Sequence, residues 1–487
     1  MTELAPAPRQ LIDGKLVEAS DGSTYPILNP ATGEQIAVAP DATADDVDAA
    51  IAAARQAFDT TGWSTDLDLR LRCVRQLHRA LVDHGEQMRA LTTAEVGAPA
   101  FLTTGPQYDV PVEGLRWTVD LAESYEWETD LGVAEPMGIA TRRTIRREAV
   151  GVVAAITPWN FPHQINLAKV GPALLAGNTV VLKPAPDTPW VAAELGRLVA
   201  EHTDLPPGVL NIVTPRDNGV ASVLATDPRI DLVSFTGSTA TGRAIMAAAA
   251  PTLKKVFLEL GGKSAAIVLD DADLAAAVGT AAFSVCVHAG QGCALTTRLV
   301  VPRERYDEAV EVAASTMASI GAKDPTDPGT ICGPVINRAQ RDRIARYLAL
   351  AEAEGGRFAT GGSVIDQDGF WVEPTVIAGL SNDARVAREE IFGPVLVVLP
   401  HDGDDDAVRI ANDSDYGLSG SVDSGSAERA RAVANRIRTG TLAVNGGVWF
   451  APDAPFGGYK QSGVGREMGV AGFEEYLEIK TIAEAVK

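Results

Sequence analysis

Cys293 lies in the segment AGQGCALTT, where small residues surround its sulfur. A cysteine that acts as a nucleophile needs free space around the sulfur and backbone N–H groups nearby, and Gly292 and Ala294 leave room for both. A cysteine among small residues is also common as a buried apolar side chain. The segment by itself therefore leaves open whether Cys293 reacts with a substrate or only packs.

Two other segments place a polar side chain among residues that break regular structure. Glu259 precedes two glycines in LELGGKS, where a partly buried carboxylate with a raised pKa can be a general base. Asn160 lies in TPWNFP, where its amide can stabilise an oxyanion. The alternatives are a capping carboxylate for Glu259 and a simple turn residue for Asn160, and both stay open at this point.

The segment FTGSTATGRAI (235–245) follows an apolar run and precedes a helical pattern. Free backbone N–H groups at the start of a helix can bind a pyrophosphate. The dinucleotide fingerprint GxGxxG is absent, and Thr236 or Ser238 could serve only as a helix cap. The GGKS of LELGGKS is not a phosphate-binding loop, because Phe257 stands where that pattern needs its first glycine.

The composition limits the class of protein to which the chain can belong. It has 487 residues, of which 46% are apolar, and this predicts two or three globular domains. With 42 basic and 64 acidic residues the net charge is −22, which argues against binding to nucleic acid or to an anionic membrane surface. The chain contains no zinc-ligand pattern and no GxSxG motif, so we expect neither a metal site nor a serine hydrolase.

Cysteine usage and the N-terminal sequence predict where the protein is found. The four cysteines are too few to cross-link a chain of this length and favour a reducing compartment. The N-terminal segment lacks the apolar region of a signal peptide, and no apolar stretch is long enough to span a bilayer. We therefore expect a cytoplasmic protein.

From residue 149 onward, apolar runs of strand length alternate with helical patterns. These runs predict a parallel sheet that is covered by helices on both faces, with ligands beyond the carboxyl ends of its strands. TPWN, KPAP and FTGST follow such runs directly. A second α/β series is predicted to begin near 256–260 and to continue through 265–269, 295–301, 391–399 and 440–444.

Two segments fit neither series of alternating strands and helices, and a helical segment precedes both series. The apolar spacing in residues 66–91 predicts a single amphipathic helix, with Cys73 and His78 as packing or surface residues. ATRRTIRREAV (140–150) and the C-terminal EEYLEIKTI have the pattern of outlying strands. We expect these strands to pair with each other or with another subunit.

The order and spacing of TPWNFP, KPAP, FTGS, LELGGKS, GQGC, EEIFGP and PFGGYKQSGVGRE resemble the aldehyde dehydrogenase superfamily, from about residue 10 to the C-terminus. The resemblance implies an α/β fold with a Rossmann-like parallel-sheet cofactor domain (1–126 plus 150–258), a second α/β catalytic domain (259–463) and a small oligomerisation β-extension (127–149 plus 464–487). It also implies NAD(P)-dependent oxidation of an aldehyde to a carboxylate by a homo-oligomer, either a dimer or a homotetramer.

The resemblance assigns roles to the candidate catalytic residues. Cys293 matches the family nucleophile, which forms a thiohemiacetal and, after hydride transfer to the nicotinamide, a thioester. Asn160 matches the side chain that holds the oxyanion together with the backbone N–H of Cys293. Glu259 matches the base that activates water for hydrolysis of the thioester, and Lys169 and Glu467 match a proton-relay pair behind it.

The resemblance also implies a set of cofactor-binding residues. Lys183 matches a contact to the adenosine ribose, Gly237 and Ser238 match the pyrophosphate turn, and Glu390 and Phe392 match residues that hold the nicotinamide and its ribose. The full set is Ile156, Thr157, Pro158, Trp159, Asn160, Lys183, Pro186, Gly219, Phe235, Thr236, Gly237, Ser238, Thr241, Glu259, Leu260, Gly261, Cys293, Glu390 and Phe392.

The preference between NAD and NADP depends on two departures from the family pattern. Pro186 stands where NAD-preferring relatives often carry a glutamate that binds the ribose hydroxyls. Arg216 lies on the adenine side, where a guanidinium can meet a 2′-phosphate. We expect NAD as the cofactor, with NADP as the alternative.

By family position the substrate pocket is lined by Phe161, Ile165, Ala168, Val287, Trp449, Phe450 and Phe456. Most of these residues are apolar, so we expect a roomy tunnel for medium-chain, terpenoid or aromatic aldehydes. His288 is adjacent, as either a polar group in that tunnel or a hydrogen-bonded structural histidine. The competing hypotheses are a thiol esterase or acyl transferase that uses Cys293 without redox chemistry, and a protein with no catalytic activity.

Overall fold

The computed structural model describes residues 5–486, which contain two large sheets and three small ones. The strands, in chain order, are β1 (Gln10–Ile12), β2 (Lys15–Val17), β3 (Thr24–Leu28), β4 (Gln35–Pro40), β5 (Glu128–Ala134), β6 (Thr141–Ala149), β7 (Val152–Ile156), β8 (Thr179–Lys183), β9 (Leu210–Ile212), β10 (Leu232–Thr236), β11 (Lys255–Glu259), β12 (Ala265–Val268), β13 (Arg298–Pro302), β14 (Arg357–Thr360), β15 (Thr375–Ala378), β16 (Val395–His401), β17 (Tyr416–Gly417), β18 (Gly420–Asp423), β19 (Ala443–Val444), β20 (Tyr459–Lys460), β21 (Gly463–Val464) and β22 (Leu477–Ala485).

Helices cover both large sheets. In chain order they are α1 (Ala44–Thr60), α2 (Leu67–Asp83), α3 (Gly85–Val96), α4 (Ala100–Thr103), α5 (Asp109–Ser124), α6 (Pro162–Leu175), α7 (Pro189–His202), α8 (Asn218–Thr226), α9 (Thr239–Ala249), α10 (Leu274–Cys286), α11 (Tyr306–Ile320), α12 (Arg338–Ala353), α13 (Arg385–Arg388), α14 (Asp404–Asn412), α15 (Ala427–Ala434) and α16 (Gly469–Glu474).

The first large sheet has the strand order β2-β1-β9-β8-β7-β10-β11-β21 and is parallel from β9 to β11. Its central strands are mostly apolar, as expected for a sheet with helices packed on both faces. One face carries α2, α5, α6 and α7, and the other carries α1, α8 and α9. The pairing aligns the carboxyl ends of four strands at one edge, where Ile156, Lys183, Thr236 and Glu259 lie.

The position of β11 corrects the expected start of the second α/β series near 256–260. β11 pairs in parallel with β10, with Thr236 opposite Glu259, and so belongs to the first sheet. The second sheet starts with β12 and has the order β14-β15-β16-β13-β12-β18-β19. An apolar run of five residues indicates a buried strand, but it carries no information about which sheet the strand joins.

The two outlying segments pair with each other, as one of the two sequence-based alternatives predicted. β22 lies antiparallel to β6 from Leu477 opposite Ala149 to Ala485 opposite Thr141, and β5 completes the small sheet on the other side of β6. Just before this strand, β21 pairs with β11 of the first sheet. The C-terminal segment therefore contacts both the small sheet and the strand that ends in Glu259.

The amphipathic pattern of residues 66–91 forms two helices instead of the single predicted one. α2 ends at Asp83 and α3 begins at Gly85, and His84 lies between them with its Nδ1 2.9 Å from the carbonyl oxygen of Ala80. Both helices bury most of their apolar residues, so the spacing of those residues alone does not show the break.

Candidate active site

The loop that carries Cys293 packs directly against the loop that follows Glu259. A Cβ atom on Gly262 would lie 2.7 Å from the carbonyl oxygen of Cys293, so the contact requires glycine at that position. Cys293 is half-buried, whereas the three other cysteines, Cys73, Cys286 and Cys332, are buried. Cys293 is thus the cysteine that combines partial access with a position at the carboxyl edge of the first sheet.

The thiol of Cys293 is held in its protonated form by its surroundings. Burial raises the pKa of Cys293, and the nearby carboxylates of Glu259 and Glu390 raise it further. A thiol must lose its proton to become a strong nucleophile. The free enzyme therefore needs a nearby acceptor for that proton when substrate arrives.

Asn160 follows β7 in the turn before α6 and is buried. Its side-chain Nδ2 donates a hydrogen bond to the carbonyl oxygen of Gln291 at 2.9 Å, two residues before Cys293. A carboxamide nitrogen carries two hydrogens, so one remains available for a ligand. This bond joins the candidate oxyanion donor to the loop that carries the nucleophile.

Glu259 ends β11 with a buried side chain whose two carboxylate oxygens have no hydrogen-bond partner in the described part of the chain. Burial raises the pKa of Glu259 well above 4.5, Glu467 raises it further, and Lys169 opposes the shift. A Cβ atom on Gly457 would lie 2.6 Å from Oε1 of Glu259, so this glycine leaves room for the carboxylate. A buried carboxyl group without a partner is typical of a functional site.

Lys169 and Glu467 form a buried ion pair with a distance of 2.6 Å between Nζ and Oε1. Lys169 also donates to Oγ of Ser234 at 3.1 Å, and that oxygen lies 3.1 Å from the hydroxyl oxygen of Tyr476. The Lys169 ammonium lies 4.9 Å from the ring centre of Phe257. The two residues predicted as a relay pair are thus side by side in a fully buried network near Glu259.

The expected pyrophosphate turn joins β10 to α9. Oγ of Ser238 accepts a hydrogen bond from the backbone N–H of Thr241 and caps the helix, and the N–H of Gly237 donates to the carbonyl oxygen of Glu259. Oγ1 of Thr236 is buried and has no partner within residues 5–486. A capped helix start beside a hydroxyl without a partner fits the phosphate groups of a dinucleotide.

The expected adenosine end of the site contains Lys183 at the end of β8. Its ammonium group is buried, and burial lowers the pKa of Lys183 to about 8. Asp187, one residue after Pro186, accepts a hydrogen bond from Nδ2 of Asn337 at 2.8 Å. Arg216 is exposed on the loop after β9, where its guanidinium is accessible to a ligand.

The expected nicotinamide end lies where Glu390 meets the loop after β11. Oε1 of Glu390 accepts the backbone N–H of Gly262 at 2.9 Å, and burial raises the pKa of Glu390 to about 7. A Cβ atom on Gly261 would lie 2.2 Å from the Glu390 carboxylate, so glycine is needed here as well. Phe392, with a positive φ of 63°, lies edge-on to Trp159 with a centroid distance of 5.3 Å.

Most other predicted cofactor residues lie at this same edge of the sheet. The ends of β7, β10 and β11 and the first turn of α9 supply Ile156, Thr157, Pro158, Phe235, Thr241 and Leu260. Gly219 differs, because it is exposed in the first turn of α8 and its N–H bonds to Asp217. The structure therefore offers no enclosed contact surface at Gly219.

The predicted substrate residues form two aromatic pairs and one groove. Trp449 stacks on Phe456 with ring centres 5.3 Å apart and planes 10° apart, and Phe450 lies edge-on to Trp449 at 5.9 Å. Phe161 lies edge-on to His288 at 5.3 Å. Ile165 is buried in α6, and the two remaining predicted residues, both half-buried, are Val287 and Ala168.

Ala168 lines a groove between α5 and α6 whose other walls were not predicted from the sequence. Its further lining includes Val110, Gly114, Trp117, Gln164, Pro452 and Met468. A Cβ atom on Gly114 would lie 3.8 Å from Pro452, so the absence of a side chain widens the groove. The amphipathic pattern of α5 predicts a helix, but it does not show which half-buried residues face a ligand.

His288 is a hydrogen-bonded structural histidine and not a polar group in a tunnel. Its side chain is 1% exposed, and Nε2 lies 2.9 Å from the carbonyl oxygen of Asn160. Burial lowers the pKa of His288 to about 4, so the ring is neutral at physiological pH.

The profile of the aldehyde dehydrogenase family matches residues 16–482. The chain belongs to the aldehyde dehydrogenase family. Its relatives include a 3-succinoylsemialdehyde-pyridine dehydrogenase from a Pseudomonas species, 41% identical over 97% of both chains, and a geranial dehydrogenase from Castellaniella defragrans, 40% identical over 97% of both. The resemblance predicted from the seven motifs is confirmed.

This chain has the same fold as solved structures of aldehyde dehydrogenases. A variant of aldehyde dehydrogenase C from Pseudomonas syringae, in complex with NAD+ and octanal, has a TM-score of 0.93 and 40% identity, covering 99% of this chain and 98% of that one. A betaine aldehyde dehydrogenase from Staphylococcus aureus in complex with NAD+ has a TM-score of 0.95 and 36% identity, covering 98% and 95%. The predicted α/β fold is confirmed, and the expected cofactor is the one these structures contain.

Residues 5–486 contain neither a candidate membrane span nor a candidate metal-binding cluster. None of the helices there has the length and apolar character needed to cross a membrane. No group of three or more His, Cys, Asp or Glu side chains in that range is arranged to hold a metal ion.

Proposed function

We propose that this aldehyde dehydrogenase uses NAD to oxidise an apolar aldehyde to the carboxylate through a thioester on Cys293. The observation that carries the proposal is the meeting of three segments at one sheet edge. The Cys293 loop, the Asn160 turn and the end of β11 at Glu259 are in contact beside the cleft that ends at Glu390. The arrangement supplies a nucleophile, an oxyanion donor and a base.

The first half of the proposed reaction takes place on sulfur. The Cys293 thiol gives its proton to water in the site, its sulfur forms a bond to the carbonyl carbon of the aldehyde, and the carbonyl oxygen becomes an oxyanion. The free N–H of Asn160 and the backbone N–H of Cys293 donate hydrogen bonds to that oxygen. When bound, the dinucleotide supplies the hydride acceptor, and the loss of hydride from the carbon leaves a thioester on Cys293.

The second half of the proposed reaction uses Glu259 and the buried ion pair. Glu259 takes a proton from a water molecule, whose oxygen attacks the thioester carbon. The carbon–sulfur bond breaks, the carboxylic acid leaves, and the thiol of Cys293 is restored. Because burial raises the pKa of Glu259, its carboxylate is a stronger proton acceptor than an exposed one, and Glu467 and Lys169 can pass the proton on.

NAD is proposed as the cofactor because the cleft fits a dinucleotide and because related structures contain NAD+. Thr236 and Ser238 supply hydroxyl groups at the phosphate end, and Lys183 supplies a buried amine at the ribose end. NADP stays the alternative, because Pro186 offers no carboxylate to repel a 2′-phosphate and Arg216 is exposed nearby.

The proposed substrates are medium-chain, terpenoid or aromatic aldehydes. The aromatic residues Trp449, Phe450 and Phe456, together with the groove at Ala168 and Gly114, offer apolar surface and space. Relatives at 41% and 40% identity are named for a pyridine semialdehyde and for geranial, and the structure with 40% identity contains octanal. Each of these molecules carries an aldehyde group, and in geranial and octanal that group is attached to an apolar chain.

The proposal is tested by the absorbance of reduced nicotinamide with octanal, geranial and benzaldehyde, each against NAD and NADP. We expect the largest kcat/KM with NAD and one of these aldehydes, and no signal from Cys293→Ala. Cys73→Ala, which removes a buried thiol from α2, is the matched control and should retain activity. Equal signals from wild type and Cys293→Ala would exclude Cys293 as the nucleophile.

A cofactor-independent assay separates the dehydrogenase from the esterase or acyl transferase alternative. Cleavage of p-nitrophenyl esters without any aldehyde oxidation would favour that alternative. The assignment to the cytoplasm, the homo-oligomeric state and the domain boundaries at 126, 150, 258 and 463 stay predictions.

A further inference from the structure

We propose that His288 is a positioning residue that holds the oxyanion donor Asn160 in place through its backbone carbonyl. The proposal rests on the proposed function, in which the side chain of Asn160 stabilises the oxyanion. His288 lies five residues before Cys293, in the short turn Val287–Gly290 that follows α10. It therefore connects the nucleophile loop to the Asn160 turn.

The peptide group of Asn160 is fixed by two buried donors. Nε2 of His288 lies 2.9 Å from the carbonyl oxygen of Asn160, and Nε2 of Gln107 donates to the same oxygen at 2.8 Å. A carbonyl oxygen has two lone pairs, so these two bonds use its full capacity. The Asn160 side chain makes a different contact, in which its Nδ2 donates to the carbonyl oxygen of Gln291.

The tautomer of His288 follows from its partners. A carbonyl oxygen only accepts hydrogen bonds, so Nε2 must carry the hydrogen. Nδ1 is buried and has no partner among residues 5–486, which disfavours a second proton there. Burial lowers the pKa of His288 to about 4, in agreement with a neutral ring that donates from Nε2 throughout the physiological range.

The backbone around His288 is strained and held by the same network. His288 and Ala289 both have φ of 52°, in the left-handed region that side chains other than glycine rarely adopt. Nε2 of Gln291 donates to the His288 carbonyl at 3.1 Å, and the His288 N–H donates to Ile331 at 3.3 Å. Strain of this kind persists where surrounding contacts enforce it, and it occurs frequently at active sites.

Loss of the Nε2 donor should act on the position of Asn160 and not on cofactor binding. His288→Leu removes the donor, and we expect it to slow acyl transfer about tenfold, because small displacements of a positioned group cost up to 10²-fold. His288→Gln places an amide nitrogen near the position of Nε2 and should recover most of the rate. NADH binding, measured by fluorescence, should change little in either variant.

The experiment is a double-mutant cycle between positions 288 and 160. The rate of acyl transfer from p-nitrophenyl acetate without cofactor, and the burst of NADH with octanal, are measured for wild type, Asn160→Ala, His288→Leu and the double variant. We expect Asn160→Ala to cost about 10²-fold, the order seen when an oxyanion donor is removed. In that background His288→Leu should have no further effect.

His163→Leu is the matched control for the loss of a buried histidine. His163 lies on α6 with 2% exposure, and its Nε2 is 3.0 Å from Oγ1 of Thr92, so its ring is bonded to a residue other than Asn160. It should lower the melting temperature while leaving acyl transfer per folded molecule unchanged. If His288→Leu does not fold, Gln107→Leu removes the other donor to the same carbonyl and tests the anchor independently.

The outcomes separate the two proposals. The positioning role is overturned if His288→Leu reduces the rate by the same factor with and without Asn160, or if His288→Leu keeps the wild-type rate. If Asn160→Ala itself has the wild-type rate, the oxyanion role in the proposed function is wrong, and the role of His288 falls with it. A tenfold loss that glutamine restores and that disappears in the Asn160→Ala background supports both.

Discussion

Glu95 and Glu259 are both buried glutamates, but they differ in their hydrogen bonds. Both are almost fully buried, at 0% and 1% exposure, and burial raises the pKa of each. The carboxylate of Glu95, at the end of α3, accepts the backbone N–H groups of Trp190 and Val191 at 2.7 and 2.9 Å and caps the start of α7. The carboxylate of Glu259 accepts no hydrogen bond from the described residues.

The two carboxylates are equally buried, and hydrogen bonding distinguishes the structural one, Glu95, from the proposed base, Glu259. The carboxylate of Glu95 accepts hydrogen bonds from two backbone N–H groups at the start of α7, so it stabilises the junction of α3 and α7. Glu259 has free lone pairs, a raised pKa and a glycine, Gly457, that leaves space beside it. A burial cost without compensating bonds is retained in a native structure where function requires it.

The largest expected effect comes from Glu259→Gln. This variant keeps the size of the side chain and removes the base, so turnover should fall by about 10²- to 10⁴-fold. Acylation does not use this base in the proposed scheme. A burst of NADH should therefore persist, and intact mass spectrometry should show acylated Cys293 accumulating.

The melting temperature of Glu259→Gln should stay within a few degrees of wild type, because no hydrogen bond is lost. Full turnover in this variant would remove the assignment of Glu259 as the base. A large drop in melting temperature would show that Glu259 resembles Glu95 and that the contrast between them is wrong.

A smaller effect is expected from Glu467→Gln. This change removes a negative charge that raises the pKa of Glu259, so the pKa of Glu259 should fall. Turnover rises with pH as Glu259 loses its proton, so the midpoint of that rise should move to lower pH. Removal of a partner behind a reacting group typically costs about 10- to 100-fold, and we expect a loss in that range.

The measurement for Glu467→Gln is kcat between pH 5 and 9, with Glu474→Gln as the matched control on the exposed side of α16. The control should keep the wild-type midpoint. A midpoint that moves to higher pH in Glu467→Gln would contradict the proposed coupling between the two carboxylates.

The smallest effect on catalysis is expected from Glu95→Gln. One of the two N–H groups at the start of α7 loses its acceptor, at a cost of about 1–3 kcal/mol for a buried unsatisfied group. The free energy of unfolding should fall accordingly, while kcat per folded molecule should stay at the wild-type value. Urea unfolding together with active-site titration separates the two quantities, and a changed kcat with unchanged stability would reverse the assignment.

The pH dependence of the free energy of unfolding provides a second test of the structural role of Glu95. Burial raises the pKa of Glu95 to about 8 from an ordinary value of 4.5, so between these values the folded state binds more protons than the unfolded state. The stability contribution of Glu95 is therefore complete below about pH 4.5 and is lost as the pH rises through 8. The gap in melting temperature between wild type and Glu95→Gln should narrow from pH 5 to pH 8.5. A gap that widens would show that the helix terminus keeps Glu95 ionised.

Much of the site could be predicted from the sequence because its residues follow local signals. Apolar runs that end in TPWN, KPAP and FTGST placed Asn160, Lys183 and Thr236 at strand ends, and the structure aligns those ends at one edge. The pairing of β6 with β22 was among the expected alternatives, because both segments lacked a place in either α/β series.

The features that escaped prediction depend on long-range packing. Which sheet contains β11 is decided by its pairing with β10, and a single strand carries no signal for that choice. Gly114 and Gln164 line the groove because α5 packs on α6, a contact that the periodicity of either helix does not reveal. The proposed role of His288 depends on its hydrogen bond to the carbonyl oxygen of Asn160, which lies 128 residues away in the chain.

Because the C-terminal segment is synthesised last, the contacts that it makes with the candidate active site form last. β21 borders the strand that ends in Glu259, Glu467 holds Lys169, and the hydroxyl of Tyr476 reaches Ser234. At about 5–20 residues per second, a ribosome releases these pieces roughly 10 to 35 seconds after Cys293. During translation the nascent polypeptide therefore contains Cys293 before the buried contacts of Glu467 and Tyr476 can form.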